Sequence, residues 1–462
     1  MFAVATFDSV VRGGQIVTPA GVEHADVGII DGSIVQVGGE MTGREEIDAR
    51  ELLVLPGAID AHVHLTSPRE SSGGPAWVDD FTTGSAAALA GGITTIGNMT
   101  FLRSGESPLA GLAQEAALAS AQAMADVILH PVLSDITDEV LAEIPMLLGE
   151  GHNSIKFFMS MPGFDQQVEG FLKATDIAGR SGLITLIHCE DYAMIAQATE
   201  RLMAEGRGSL RYYPESRPIV SEAVATERAV GFAAATDAPV YVVHLSSEAA
   251  LDACRRGQER GAPVYVETRP LYLHLTSERF EEPDAGKYVG QPPLREPSDA
   301  EAIWNGLRWG AVHTVCTDHA PWSLEAKLDP GLSVANLRPG VENLETQLAM
   351  LYSEGVGKGR LTLERLVEVT SSNAAKLFGL YPRKGCIAIG SDADLVLFDP
   401  NETRVVGAPQ HSRCDYSVYE GWSVTGWPVV TMRRGQVVYD HGAVLAEPGS
   451  GQLVPREATR AL

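Results

Sequence analysis

Residues 58–65 read AIDAHVHL, an apolar run that closes on two histidines spaced by two. A period of two is the repeat of a β-strand, so His62 and His64 face the same side of it. The run opens a long central region where short apolar stretches alternate with Ala- and Leu-rich ones. Seven more strands are predicted there: ITTIGN (93–98), DVILHPVL (126–133), SIKFFMS (154–160), LITLIHC (183–189), PVYVVHL (239–245), PVYVET (263–268) and HTVCTD (313–318). Helices are expected at 79–90, 110–124, 138–149 and 221–236. A closing helix runs from Thr362 to Leu377, with Thr362 as N-cap and Gly379 just beyond its end. Eight apolar strands with helical crossovers predict an α/β fold, a (β/α)8 barrel over residues 57–380.

The two ends of the chain have another texture. DSVVRGGQIVTP, ADVGIIDGSIVQVGG and ELLVLPG near the start are β-branched runs split by glycine-containing turns. ADLVLFDP and WPVVTMRRGQVVYDHG near the other end resemble them. Each set is too small to bury much alone, so residues 1–56 and 381–442 are expected to fold together as one smaller β-sandwich domain. The tail, residues 443–462, ends in the polar, Gly/Pro-containing EPGSGQLVPREATRAL. Two readings stand for it, a mobile terminus or an arm onto a neighbouring subunit.

Composition narrows the function. The 462 residues carry a net charge of −25, with 45% hydrophobic and 21% charged side chains. This is the make-up of a globular enzyme. It lacks the clustered Lys and Arg that nucleic acid or an anionic membrane surface demands. No apolar run approaches the ~20 residues of a membrane helix. The first residues meet Asp8 before an apolar leader develops, and the five cysteines are scattered without paired spacing, so a cytoplasmic protein is expected.

Chemistry-bearing residues gather at strand ends. His62 and His64 close the first barrel strand, His188 closes the fifth, His244 the sixth and Asp318 the eighth. The carboxyl ends of the strands are the rim where barrel active sites are assembled. A lone strand histidine is more often a core residue than a ligand, but four histidines and one aspartate in this pattern point to a metal site. Neutral imidazoles with a carboxylate suit Zn, Mn, Fe or Ni better than Ca or Mg. Lys156 lies in the apolar strand SIKFFMS, where an ammonium must snorkel, find a carboxylate or lose its charge. A neutral lysine amine takes up carbon dioxide as a carbamate, an anion able to bridge two metal ions. Cys189 reads as a small buried residue and Phe157 as core.

These residues sit in a longer series: GAIDAHVHL, DDFTTGSAAALAGGITTI, HNSIKFFM, LIHCED, SRP with EAVATERAV, VYVVHLSS, VYVET, QPPLR, TDHAP, RPGVE and GSDADLVLFD. The order resembles the cyclic amidohydrolases, in particular the hydantoinase/dihydropyrimidinase branch, with allantoinase and dihydroorotase as relatives. The resemblance implies a binuclear centre of two divalent ions, zinc first. His62, His64 and Asp318 would hold one ion and His188 and His244 the other, with N6-carboxylated Lys156 and a hydroxide bridging them. It further implies hydroxide attack on a cyclic amide, with Asp318 as general base and then acid, and a homotetramer or dimer.

Two positions depart from the family pattern. Dihydroorotases carry an Arg two residues after the second histidine, and here that residue is Thr66. Hydantoinases carry a Tyr five residues after the modified lysine, where it donates to the oxyanion; here it is Met161, which cannot donate. Gln291 and Asn336 stand where the family reads the substrate ring through backbone groups. The loop 66–77, with Arg69 and Trp77, is a candidate lid. The alternatives are an allantoinase-like or other cyclic imide or ureide hydrolase, an acyclic amidase with one metal, and a non-catalytic scaffold on the same barrel. The scaffold reading conflicts with the complete ligand set.

Overall fold

The computed structural model describes residues 6–66 and 76–462. Eight parallel strands form the central sheet: β1 (Ala58–Val63), β2 (Ile93–Phe101), β3 (Asp126–Val132), β4 (Ser154–Phe158), β5 (Ile184–His188), β6 (Val240–Val242), β7 (Val264–Thr268) and β8 (Thr314–Val315). A bridge between Val63 and His319 joins the last strand to the first. There the His64 amide donates to the His319 carbonyl at 2.8 Å, and the result is the (β/α)8 barrel the strand pattern predicts.

Helix starts follow capping chemistry. The helix expected at 79–90 spans Phe81–Ala90, because the Asp80 side chain accepts from the Thr82 and Thr83 amides and so acts as N-cap. The stretch after Thr137 is helical to Glu143 and then tightens into a 3-10 turn over Ile144–Glu150. Pro145, lacking an N–H, sits at the start of that turn. The closing helix is capped by Thr362 as expected, but widens into a π segment over Glu368–Ser372 before resuming at Asn373–Leu377. In that segment the Ser371 hydroxyl donates to the Gly57 carbonyl at 2.7 Å, tying the helix to the start of β1.

The smaller domain is one nine-stranded sheet drawn from both chain ends. Leu53–Pro56 from the amino end pairs antiparallel with Leu395–Val405 from the carboxyl end. The sheet curls so that the Asp31–Gly32 turn meets the Arg434–Gly435 turn, and residues such as Val27, Ile34, Leu395 and Met432 share one apolar layer.

The carboxyl tail is not a free end. It packs on its own barrel. The Val454 amide donates to the Val127 carbonyl at 2.9 Å, and buried Arg456 donates to the Leu129 carbonyl at 2.6 Å and to Ser154 Oγ at 3.0 Å. With Phe378 and Leu380 it closes the amino-terminal end of the barrel. The physical reason is the row of backbone groups left open at the strand starts, which a polar tail can serve.

A buried ion cluster fastens the two domains. The Lys384 ammonium lies 2.6 Å from Asp394, 2.8 Å from Asp126 and 3.1 Å from Asp392. The lysine thus occupies the centre of a three-carboxylate group. Lys384→Met should lower unfolding stability by about 3–5 kcal/mol, since it leaves the Asp394 carboxylate buried without its cation, while Asp126 keeps Arg434. Denaturant titration of the purified variant measures this.

Candidate metal centre

The barrel geometry carries His62, His64, Lys156, His188, His244 and Asp318 to the carboxyl-terminal rim. His62 ends β1 and His64 follows it, while Lys156 lies within β4 and points to the same face as Phe158. His188 ends β5, and His244 and Asp318 follow β6 and β8. His244 and Asp318 both have positive φ, 39° and 49°, a strained backbone that turns their side chains back over the barrel mouth.

These side chains converge. The His62 ring lies 5.3 Å from that of His64 and 5.5 Å from that of His244, and His244 lies 4.5 Å from His188. Asp318 Oδ1 is 2.8 Å from His64 Nε2 and 3.2 Å from His62 Nε2. One ligand atom each from His62, His64 and Asp318 falls within 4.8 Å of the others, which is the spacing of ligands around one ion.

Their chemistry fits a cation. His62 Nε2, His64 Nδ1, His244 Nδ1 and Lys156 Nζ are buried with no hydrogen-bond partner among the described residues. Such orphaned atoms are costly unless something else serves them. Burial lowers the His64 imidazole to about 4 and the His188 and His244 imidazoles below their usual range, so all three are neutral and free to ligate. Burial also lowers Lys156 to about 8, with Glu267 and Asp318 pulling it partly back. For Asp318, burial works against ionisation, but the Arg269 charge and hydrogen bonding from His64 outweigh it and hold the carboxylate well below its usual value. The donor set suits a divalent metal centre.

A supporting ring of groups went unpredicted from the sequence. Glu267 Oε1 accepts from His62 Nδ1 at 2.8 Å and from the His244 amide at 2.9 Å. Glu190 Oε2 lies 2.9 Å from His188 Nε2 and is itself held by Arg217. Asp60 accepts from the His62 and Thr317 amides. Such partners fix the tautomer and aim of ligand imidazoles. A signal existed for Glu267, an acid placed in the β-branched run VYVET, but nothing in one dimension says which histidine it serves.

A pocket of about 320 Å³ opens above the centre, lined in part by Trp77, Phe101, Phe158, Met161, Gln291 and Gly340. Met161 and Gln291 therefore lie at the site. Asn336 does not; it is an exposed turn residue, and Pro339 and Gly340 form that part of the wall. Arg69 and most of the candidate lid lie outside the described residues, whereas the Trp77 ring packs 5.0 Å from that of His64, tilted by 48°. Phe157 faces away from the pocket and packs 4.8 Å from Phe171, as core.

Comparison with known proteins agrees with this geometry. Residues 53–438 match the model of the amidohydrolase family. The chain is 37% identical over 458 residues to a D-hydantoinase of Ralstonia pickettii, covering 97% of this chain and 99% of that protein. It is 34% identical over 454 residues to a D-phenylhydantoinase of Escherichia coli O1:K1 / APEC, covering 97% and 98%. The crystal structure of dihydropyrimidinase from Brevibacillus agri NCHU1002 superposes with a TM-score of 0.93 at 34% identity, covering 98% of this chain and all of that one. A barrel with a candidate ligand set at the rim, joined to these matches over nearly the full length, means that the chain belongs to the amidohydrolase family.

Proposed function

We propose that the protein is a metal-dependent hydrolase that opens a cyclic amide ring of the hydantoin or dihydropyrimidine type. The observation that carries this is the meeting of four imidazoles and Asp318 in one pocket with largely apolar walls, with the buried Lys156 amine 4.7 Å from the ring of the lining Phe158. His62, His64 and Asp318 would hold one divalent ion and His188 and His244 another, with Lys156, carboxylated, shared between them. Zinc is the first candidate, ahead of Mn, Fe and Ni. Such ions supply a water acidic enough to ionise near neutral pH and a Lewis acid for the ring carbonyl.

The protein's own groups do the rest. Asp318 takes the proton of the attacking water and delivers it to the ring nitrogen as the C–N bond breaks, leaving a ring-opened acid. Gln291, Pro339 and Gly340 border the ring. Met161, Phe101, Phe158 and Trp77 offer an apolar surface to a ring substituent. Ser160, Arg217 and Gln291 are pocket-lining groups able to donate where Met161 cannot. A homo-oligomer, tetramer or dimer, in the cytoplasm completes the reading. The five free cysteines suit that compartment, and light scattering checks the assembly.

The test is ring opening by zinc- or manganese-loaded protein of hydantoin, 5-phenylhydantoin, dihydrouracil and allantoin, with chelated protein as blank. Turnover should be greatest with 5-phenylhydantoin, vanish on chelation and return with metal, alongside two ions per chain by elemental analysis. Silence from fully metallated protein on every ring would overturn the proposal.

A further inference from the structure

Arg269 is the first residue beyond β7, and its guanidinium is fully buried immediately behind the centre. Its Nε donates to the Thr317 carbonyl at 3.0 Å, and its Nη1 lies 3.0 Å from Asp318 Oδ2. The ring of Tyr272 stands 5.6 Å away, but Asp318 is its one carboxylate partner among the described residues. Taking a guanidinium out of water is costly unless a counter-charge receives it, so this arginine is placed for Asp318. The opposite oxygen, Oδ1, faces His62 and His64. The carboxylate is thus held at both ends, on a residue whose backbone is already in the left-handed region.

We propose that Arg269 is the positioning residue for Asp318, locking its carboxylate plane so that Oδ1 is turned to the ligand imidazoles while Oδ2 is held away from them. This rests on the reading of Asp318 as ligand and proton carrier. A carboxylate oxygen has two lone pairs, so Oδ2 can meet Arg269 and still take a proton from the pocket side. Gly290 supports the arrangement, since a Cβ there would come 3.0 Å from Arg269 Nη1. The guanidinium is packed beside Gly290, the chain neighbour of the pocket-lining Gln291.

Arg269→Met keeps bulk and removes the charge; Arg269→Lys keeps the charge without the fork and is the variant that preserves folding. Groups that orient metal ligands are typically worth about 10–100-fold in activity or metal affinity. Arg269→Met should therefore lose about that much in kcat, with KM within about twofold, and Arg269→Lys should recover part of it. Cobalt-loaded Arg269→Met and Arg269→Lys should both show shifted visible d–d bands, because the Asp318 ligand geometry changes. A purely structural arginine would lower yield or stability but leave kcat per loaded site and the cobalt spectrum as in wild type. That result in Arg269→Lys alone suffices to overturn the proposal. Should wild type open no ring, the hydrolase reading fails, while the cobalt spectra still decide the role of Arg269.

Discussion

Lys156→Ala lowers turnover by at least about 10³-fold and lowers the metal content of the purified protein, because it removes the group that two ions would share. Desolvation sets the chemistry of this amine. The Lys156 amine is fully buried, has no hydrogen-bond partner among the described residues and lies 4.7 Å from the Phe158 ring. Burial brings it down to about 8, so about a tenth is neutral at pH 7, against well under a thousandth for an ordinary lysine. On the proposed reading the neutral amine would add to carbon dioxide, forming an N–C bond and releasing one proton. Lys156→Met, which keeps the volume, should lose as much as Lys156→Ala, separating the nitrogen's chemistry from packing. Reassembly of chelated wild type with zinc should depend on bicarbonate and quicken between about pH 7 and 9, as the neutral amine grows. A rate independent of bicarbonate and of pH would rule out the carbamate.

Asp318→Asn should lose about 10²–10⁴-fold in kcat, the usual worth of a proton-transfer group, while nearly preserving the shape of the side chain. An amide oxygen can still ligate, but the amide cannot carry the proton from water to the leaving nitrogen. A second consequence reaches folding. Asp318→Asn strands the buried Arg269 charge, which should cost about 3–5 kcal/mol of stability. Arg269→Met combined with Asp318→Asn should regain much of that loss without regaining activity, the non-additivity expected of two groups in contact. Parallel denaturation and steady-state kinetics on the four proteins read both effects. A single Asp318→Asn variant with wild-type turnover would remove Asp318 from the reaction.

Much of the site was legible in one dimension because barrel strands obey a simple rule. A period of two puts alternate residues inside, and a histidine that ends an apolar strand must emerge at the rim. His62, His64, His188, His244 and Asp318 follow from that rule together with strand order. Lys156 was legible by contradiction, as a charge where water cannot follow. The tail was not legible. Its Gly/Pro-rich polarity suits a free end, and it is backbone groups brought together by the fold, among them those of Ala123, Val127, Leu129, Gly151 and Gly379, that give it a place.

The sequence alone determined the barrel, the smaller sheet from both ends, the metal-binding residue types and the two positions, Thr66 and Met161, that set this chain apart. These are local facts, carried by periodicity and by residue chemistry. Which groups face those ligands was decided by the closed fold. Glu267 meets His62 across 205 positions of chain, Arg269 meets Asp318 across the β7–β8 edge, and Pro339 and Gly340 form the wall expected at Asn336. The reason is that a charge buried in a strand or loop names its need for a partner but not its partner. That choice is made by register and barrel closure, which bring distant strand ends within 3 Å of one another.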